Sequence, residues 1–468
     1  MWGKAVDFQD LLLDLCGEDI HATNDEHVVR ASGDLVDTAH GTRGGCQQPG
    51  EVAGAIAHDR QGFLGQRGEY QLAGLAVGHD LAGIRIDEFR LASISAEYEA
   101  ELERLEAEIH RLAGEKFLVS SPKQLQTILF EKLKLPVIKK TKTGYSTNAE
   151  VLERLAADGH EICQKLLVYR KFEKLINTYV DVLLREIDQE DGRVHCQFNQ
   201  TASTTGRLIT SDPDLQRTPV RTEEGKRIRK LFQAGPGCRL VVADWSQVEL
   251  RIMAHLSGDE VLRSAFSQNA DIHKRTASEL FHKSEEEVTK SERDTAKTVN
   301  FATIYGQGAS ALAQNLGIKK KEAEKIITRY FEVYSGVKRW VEETTESARV
   351  LGKVETLAGR TRFIPELFSK NFAVKQAGER MAVNTPVQGS AADICKRVML
   401  LISDDMKERS HLKSRMLLQI HDELIFECPP AELEALKALV KRHMETVVEL
   451  DVPLKVDVGA GASWAAAK

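Results

Sequence analysis

The sequence predicts an α+β fold: an antiparallel sheet assembled from distant stretches of chain, with a long helical insertion between its strands. Three observations predict it. Short apolar runs at Leu240-Val241-Val242-Ala243, Met416-Leu417-Leu418-Gln419-Ile420 and Leu424-Ile425-Phe426-Glu427 have the length of strands and lack helical periodicity. Residues 258–400, between the first run and the others, read as mainly helical. Finally, the runs break off at carboxylates, Asp244 in one place and the His421-Asp422-Glu423 tip of a hairpin in the other.

Taken in order, residues 1–94 are rich in Gly, His and Asp and show weak apolar periodicity after Leu13. They form an unassigned leader, either a disordered segment or a remnant. Order begins near Ser95. Tyr98, Leu102, Leu105, Ile109 and Leu112 step by four and three along an amphipathic helix, and Gly114 is placed to end it. Further helical patterns cover 122–133, 148–157 and 160–187. Between them, Lys139 to Ser146 is a basic loop carrying Lys140 and Lys142. Residues 95–190 therefore make a helical arm with a cationic tip. In 191–257, Arg193 to Asn199 alternates like a strand, Leu240 to Ala243 is a buried strand, and a helix runs from Ser246 to about His255. The insertion occupies 258–395. Residues 396–468 supply the hairpin and a last alternating strand from Val452 to Val458.

A chain of 468 residues accommodates roughly three domains. No apolar run approaches the roughly 20 residues that span a bilayer, and the N-terminus lacks the pattern of a secretory signal. The seven cysteines are scattered, with no C-x-x-C pair, which argues against a disulfide framework and a zinc site. A reducing cytoplasm is the expected compartment. The net charge of −6 gives no hint of a nucleic-acid partner, but segregated charge makes the net value a poor guide.

Four features carry chemistry. A carboxylate at the end of a buried strand is costly unless it is paired or metal-bound. Two such ends meeting in space, Asp244 and Asp422, would form an anionic oxygen cage suited to Mg²⁺, with the carbonyl of Trp245 as a further ligand. A helix cap at Asp244 and a plain polar turn at 421–423 are the structural alternatives. Glu423 is secondary, because successive strand residues point to opposite faces. Arg293, Lys297, Phe301 and Tyr305, spaced by four, share a helical face of two cations and two aromatics, suited to an anionic planar ligand. An ordinary exposed face with two inward aromatics is the alternative there. Asp271-Ile272-His273 places an imidazole at a helix start, where phosphate can bind. Arg380, Asn384 and Gln388 again fall four apart, long polar side chains able to reach base edges.

Together these segments resemble the polymerase region of the family A DNA polymerases. The resemblance runs from about Ser95 to Lys468. It rests on Thr205-Gly206-Arg207-Leu208, Asp244-Trp245-Ser246-Gln247-Val248-Glu249-Leu250-Arg251, Asp271-Ile272-His273, Arg293-x-x-x-Lys297-x-x-x-Phe301-x-x-x-Tyr305-Gly306, Asn384-x-Pro386-x-Gln388-Gly389 and His421-Asp422-Glu423. It implies a right-hand polymerase fold: a helical thumb at 95–190, an antiparallel palm at 191–257 and 396–468, and helical fingers at 258–395. It implies a catalytic set of Asp244, Asp422, Glu423 and Lys297, with two Mg²⁺ ions held by Asp244, Trp245 and Asp422. Arg293, Lys297, Phe301, Tyr305, His273, Glu249 and Gln247 would bind the dNTP, with Glu249 excluding ribonucleotides. Arg207, Arg380, Asn384, Gln388 and His421 would line the primer–template duplex, and Lys140 and Lys142 would meet it at the arm's tip.

The reaction so implied is nucleotidyl transfer to a primer 3′-end by a monomer with no membrane partner. No 3′–5′ proofreading is expected, since the leader is short and lacks an Asp-x-Glu motif. Trp245, Ala302, Gln307 and Arg217 depart from the usual Tyr, Gly, Met and Asn of the family, which bears on selectivity rather than on the ligands. A metal-dependent nuclease using the same carboxylates, and a non-catalytic DNA-binding module, are the alternatives. The cationic–aromatic stripe disfavours the first and the intact ligand set the second.

Overall fold

The structure is a computed structural model that describes residues 82–141, 144–219, 222–409 and 411–468. Most of the expected leader, residues 1–81, and Lys142 lie outside the described residues.

The chain joins the fold earlier than its apolar stripe suggests. Strand β1 (Ile84–Ile86) is flanked antiparallel by β2 (Arg193–Val194) and β3 (Phe232–Gln233). Asp87 then caps helix α1 (Glu88–Ala113), its carboxylate accepting the Arg90 N–H at 3.1 Å. The helix expected from Ser95 thus starts at Glu88, and residues 84–94 belong to the folded body rather than to a leader. Leu91 and Ile94 extend its buried stripe toward Tyr98. At the far end Gly114, with φ of +73°, closes the helix by donating to the carbonyls of His110 and Arg111.

Beyond Leu105 the helix leaves the main core. Leu105 and Ile109 pack with Leu125, Leu129, Leu155 and Leu166 in a separate cluster built with α2 (Ala149–Ala157) and α3 (Glu161–Leu175). This is the expected helical arm. Its short hairpin carries Lys140 exposed, with the ammonium 5.6 Å from the centroid of the Tyr145 ring.

The strand expected at 193–199 is split. Arg193 and Val194 pair with β1, whereas Gln197–Asn199 pairs with Ile209–Ser211. One alternating run therefore serves two sheets. The central sheet contains β4 (Arg239–Trp245), β5 (Arg415–Ile420), β6 (Glu423–Cys428) and β7 (Val456–Gly461), in the order β5-β6-β4-β7, all antiparallel. Strands β4 and β6 are interior and buried on both faces, which is why their apolar runs do not alternate. Buried Glu427 ties this sheet to the smaller one. Its oxygens accept from Arg193 at 2.7 and 2.9 Å and from the Gly235 N–H at 2.7 Å.

Between β4 and β5 run α4 (Val248–Ser257) and then the helices of the insertion, among them α5 (Ile272–Phe281), α6 (Lys290–Ile304) and the first part of the long α7 (Phe372–Glu408). An unexpected hairpin, Lys353–Glu355 with Thr361–Phe363, interrupts them. No helix among the described residues is long and apolar enough to cross a membrane.

Candidate active site

Register brings the remote carboxylates together. Ile420 pairs with Glu423, so β5 and β6 are joined by a turn of His421 and Asp422 alone. His421 adopts φ of +59°, a left-handed conformation that His tolerates better than most residues. Strand β6 lies beside β4, and the Trp245 N–H donates to the Asp422 carbonyl at 3.3 Å. The turn is therefore pinned against the end of the strand that carries Asp244. Gln216 braces it from below, donating to the side-chain oxygen of Gln419 at 3.1 Å.

The electrostatics of the pair follow from this crowding. Burial, reinforced by the negative charge of Asp244, pushes the Asp422 carboxyl up to about 7. Burial also raises Asp244, with Lys468 opposing. Two half-buried acids held side by side favour a bound proton or cation. The donor set is carboxylate oxygen throughout, with a backbone carbonyl at Trp245 adjacent in the chain, which fits a hard divalent ion such as Mg²⁺.

Glu423 departs from expectation. Asp422 belongs to the turn, and Glu423 stands directly opposite Asp244 in the register. Cross-strand partners project from the same face, so Glu423 shares the face of Asp244 rather than the opposite one. It is buried, and both its oxygens are engaged: the Trp464 indole donates to Oε1 and the Lys468 ammonium to Oε2. Lys468 also lies 3.2 Å from Asp244 Oδ2.

A cavity of about 300 Å³ opens beside Asp422. Arg207, Glu249, Phe301, Tyr305 and His421 wall it, all of them predicted site residues, with Trp245 at its back. Glu249, in the first turn of α4, accepts from the Tyr305 hydroxyl at 2.7 Å and pairs with the Arg207 guanidinium. Burial and the Glu249 charge hold the Tyr305 hydroxyl far above its ordinary range. The Phe301 and Tyr305 rings stack at 6.2 Å.

Helix α6 presents these rings because Thr289 and Glu292 form a capping box at its start and Gly306, at φ of +61°, follows its end. Arg293 and Lys297 lie two turns and one turn before Phe301. Arg293 Nε donates to Asp271 at 2.7 Å, while Lys297 is exposed. His273, at the start of α5, is buried 5.9 Å from the Phe301 ring. The Asn300 amide faces its Nδ1 at 3.0 Å, which assigns the ring proton to Nε2. Burial, with Arg293 and Lys297 adding to it, lowers the imidazole to about 4. At neutral pH His273 is therefore a neutral donor and not a cation.

The other predicted residues are placed as follows. Gln247 is half-buried just before α4, at φ of +58°. Arg380 is exposed on α7 and packs beside Gly306, where an added Cβ would stand 3.3 Å from its Cγ. Asn384 lies one turn on, with its Oδ1 buried and without a hydrogen-bond partner. Gln388 follows, half-buried, and the next turns of α7 (Ala391, Ala392, Cys395, Lys396) reach the cavity. Lys140 is not brought to the cavity; it stays on the arm. Of the atypical positions, Trp245 buries its ring and donates to the Met444 carbonyl at 2.9 Å, and Ala302 is buried.

Lys468, Trp464, Gln216 and buried Lys396 are site residues that the sequence did not single out. A cation inside the apolar stretch Ile394-Cys395-Lys396 was the one available signal, and Lys468 gave none. Asp188, Asp191 and His195 form a separate group with metal-ligand spacing, but two of the three are exposed and none touches the cavity.

Residues 88–466 match the model of DNA polymerase family A. DNA polymerase I of Bacillus subtilis (strain 168) is 49% identical over 387 residues, covering 82% of this chain and 44% of that protein. The thermostable DNA polymerase I of Thermus thermophilus is 47% identical over 408 residues, 87% of this chain and 49% of that one. The chain spans about half the length of these curated relatives. Among solved structures, the POL domain of Pol1 from M. smegmatis, in complex with DNA primer-template and dNTP, aligns with a TM-score of 0.80 at 42% identity, covering 85% of this chain and 69% of that one. On this match, which covers most of its length, the chain belongs to DNA polymerase family A.

Proposed function

We propose that this chain is a template-directed DNA polymerase that adds dNTPs to a primer 3′-end. The observation that carries the reading is the pinning of Asp422 against the Asp244 strand end, beside a cavity walled by Phe301, Tyr305 and Glu249. The M. smegmatis relative, whose title names primer-template and dNTP, supports the same substrates. In this reading the arm beginning at Glu88 is the thumb, the central sheet is the palm and the helical insertion is the fingers.

Asp244 and Asp422 would hold the divalent ions, with the Trp245 carbonyl as a further oxygen ligand. Bound there, two Mg²⁺ ions supply a lowered pKa at the primer hydroxyl and counter-charge for the departing pyrophosphate. The protein's own groups do the rest. Glu423, with both oxygens engaged, supports the metal ligands without joining them. Arg293 and Lys297 meet the triphosphate, Arg293 exchanging Asp271 for phosphate oxygen. His273 donates its Nε2–H to the same oxygens. Phe301 packs on the deoxyribose.

Glu249 lies beneath the sugar. Its carboxylate is already satisfied by Tyr305 and Arg207, so a ribose 2′-hydroxyl would crowd it without gaining a free acceptor. Tyr305 guards the template side, and Gln247 borders the nucleotide. Arg207, Arg380, Asn384, Gln388 and His421 face the duplex minor groove. Lys140 and Lys142 meet backbone phosphate, so duplex affinity is salt-sensitive and largely independent of sequence.

A primer-extension assay tests the reading. Extension directed by the template base, lost in Asp422→Ala with duplex binding retained, is the expected result. Primer shortening without dNTPs would instead identify a nuclease. Binding without either change would identify a non-catalytic module.

A further inference from the structure

Acidic groups crowd one end of the central sheet. Glu423 and Asp457 both stand opposite Asp244 in the register, and the Asp422 turn abuts them. Among the described residues, the cation in contact with an Asp244 carboxylate oxygen is Lys468. It is not a loose surface lysine. Its ammonium is anchored on buried Glu423, whose other oxygen is fixed by the fully buried Trp464 indole. Arg229 packs on that indole, 3.9 Å from the ring centroid, and closes the stack.

This arrangement puts an ammonium on Asp244 Oδ2, an oxygen that a divalent ion would also need. We propose that Lys468 is the built-in counter-cation of the metal site: anchored on Glu423, it competes with a divalent ion for Asp244 and so sets the affinity of the site. The inference rests on the proposed function only in taking Asp244 and Asp422 as metal ligands. Lys468 is a positioning residue here, acting through Asp244 and Glu423 and touching neither primer nor nucleotide.

The test is Mn²⁺ binding by the full chain without DNA or nucleotide, reading free Mn²⁺ by electron paramagnetic resonance. Lys468→Met and Lys468→Gln should bind Mn²⁺ more tightly by roughly tenfold, the scale of a unit charge beside a divalent ion in a water-screened site. Lys468→Arg should stay near the parent chain. A purely structural lysine would show no gain, so unchanged or weaker binding in both neutral variants overturns the proposal.

Asp422→Asn separates the two failures. If it leaves Mn²⁺ binding intact, the metal-site reading itself is wrong. If it weakens binding while the neutral Lys468 variants match the parent, only the counter-cation role is wrong. Should those variants fail to fold, acylation of the parent chain decides: Lys468 should become more reactive when Mn²⁺ is added, and unchanged protection overturns the proposal.

Discussion

Replacing His273 with Gln should flatten the acid side of the stability profile. In the folded chain burial, with Arg293 and Lys297 nearby, holds this imidazole at about 4, against an ordinary value of 6.5. A depressed pKa means that the unfolded chain binds the proton more tightly than the folded one. The contribution is therefore fully present above about pH 6.5 and is lost as the pH falls toward 4. The gap between the two values is worth up to about 3 kcal/mol, of which about 2 kcal/mol should be gone by about pH 5. Urea unfolding of the parent chain and of His273→Gln, at about pH 8 and about pH 5, measures it. The variant should be less stable at the higher pH, because Asn300 loses its buried partner, yet it should lose less on acidification. Equal acid losses in the two proteins would show that the imidazole is not held neutral by its surroundings.

Four further outcomes are expected. Asp422→Asn should raise the thermal midpoint of the chelator-treated protein even as it removes extension, because the amide relieves the like charge beside Asp244; differential scanning fluorimetry reads this. Arg193→Ala should cost about 3–5 kcal/mol in urea unfolding, because it leaves Glu427 charged and buried without its cation. Glu249→Ala should admit ribonucleotides, seen as a fall in the ratio of dNTP to NTP incorporation, and an unchanged ratio would remove Glu249 from the sugar's 2′ side. A mismatched 3′ primer end should survive incubation with this chain, and its excision would reveal a nuclease centre.

The parts of the site that were legible in the sequence are those whose chemistry conflicts with their surroundings. Asp244 and Asp422 stood out because charge interrupts apolar strands, and burial does raise both carboxyls. The face of α6 was legible from its four-residue spacing, and the capping box at Thr289 fixes where that helix starts. What escaped depends on register and long-range contact. Nothing local says that Glu423 stands across from Asp244, since that requires the strand pairing to be known. Lys468 reads as an ordinary lysine until Trp464 and Glu423 anchor it. The start of α1 was missed although Leu91 and Ile94 continue its stripe by steps of three and four; what local pattern does not show is that Asp87 caps the helix and that Ile84–Ile86 pairs with strands far along the chain. The break between Val194 and Gln197 was hidden because both halves alternate alike while pairing with different partners.

Single-turnover primer extension on a defined template, comparing the parent chain with Asp244→Asn and Asp422→Asn, tests the central claim most directly. The account predicts that the parent adds only the nucleotide complementary to the template. Each variant should bind the duplex as before and add none on the same timescale. Extension that persists in either variant, or that ignores the template base, would contradict it.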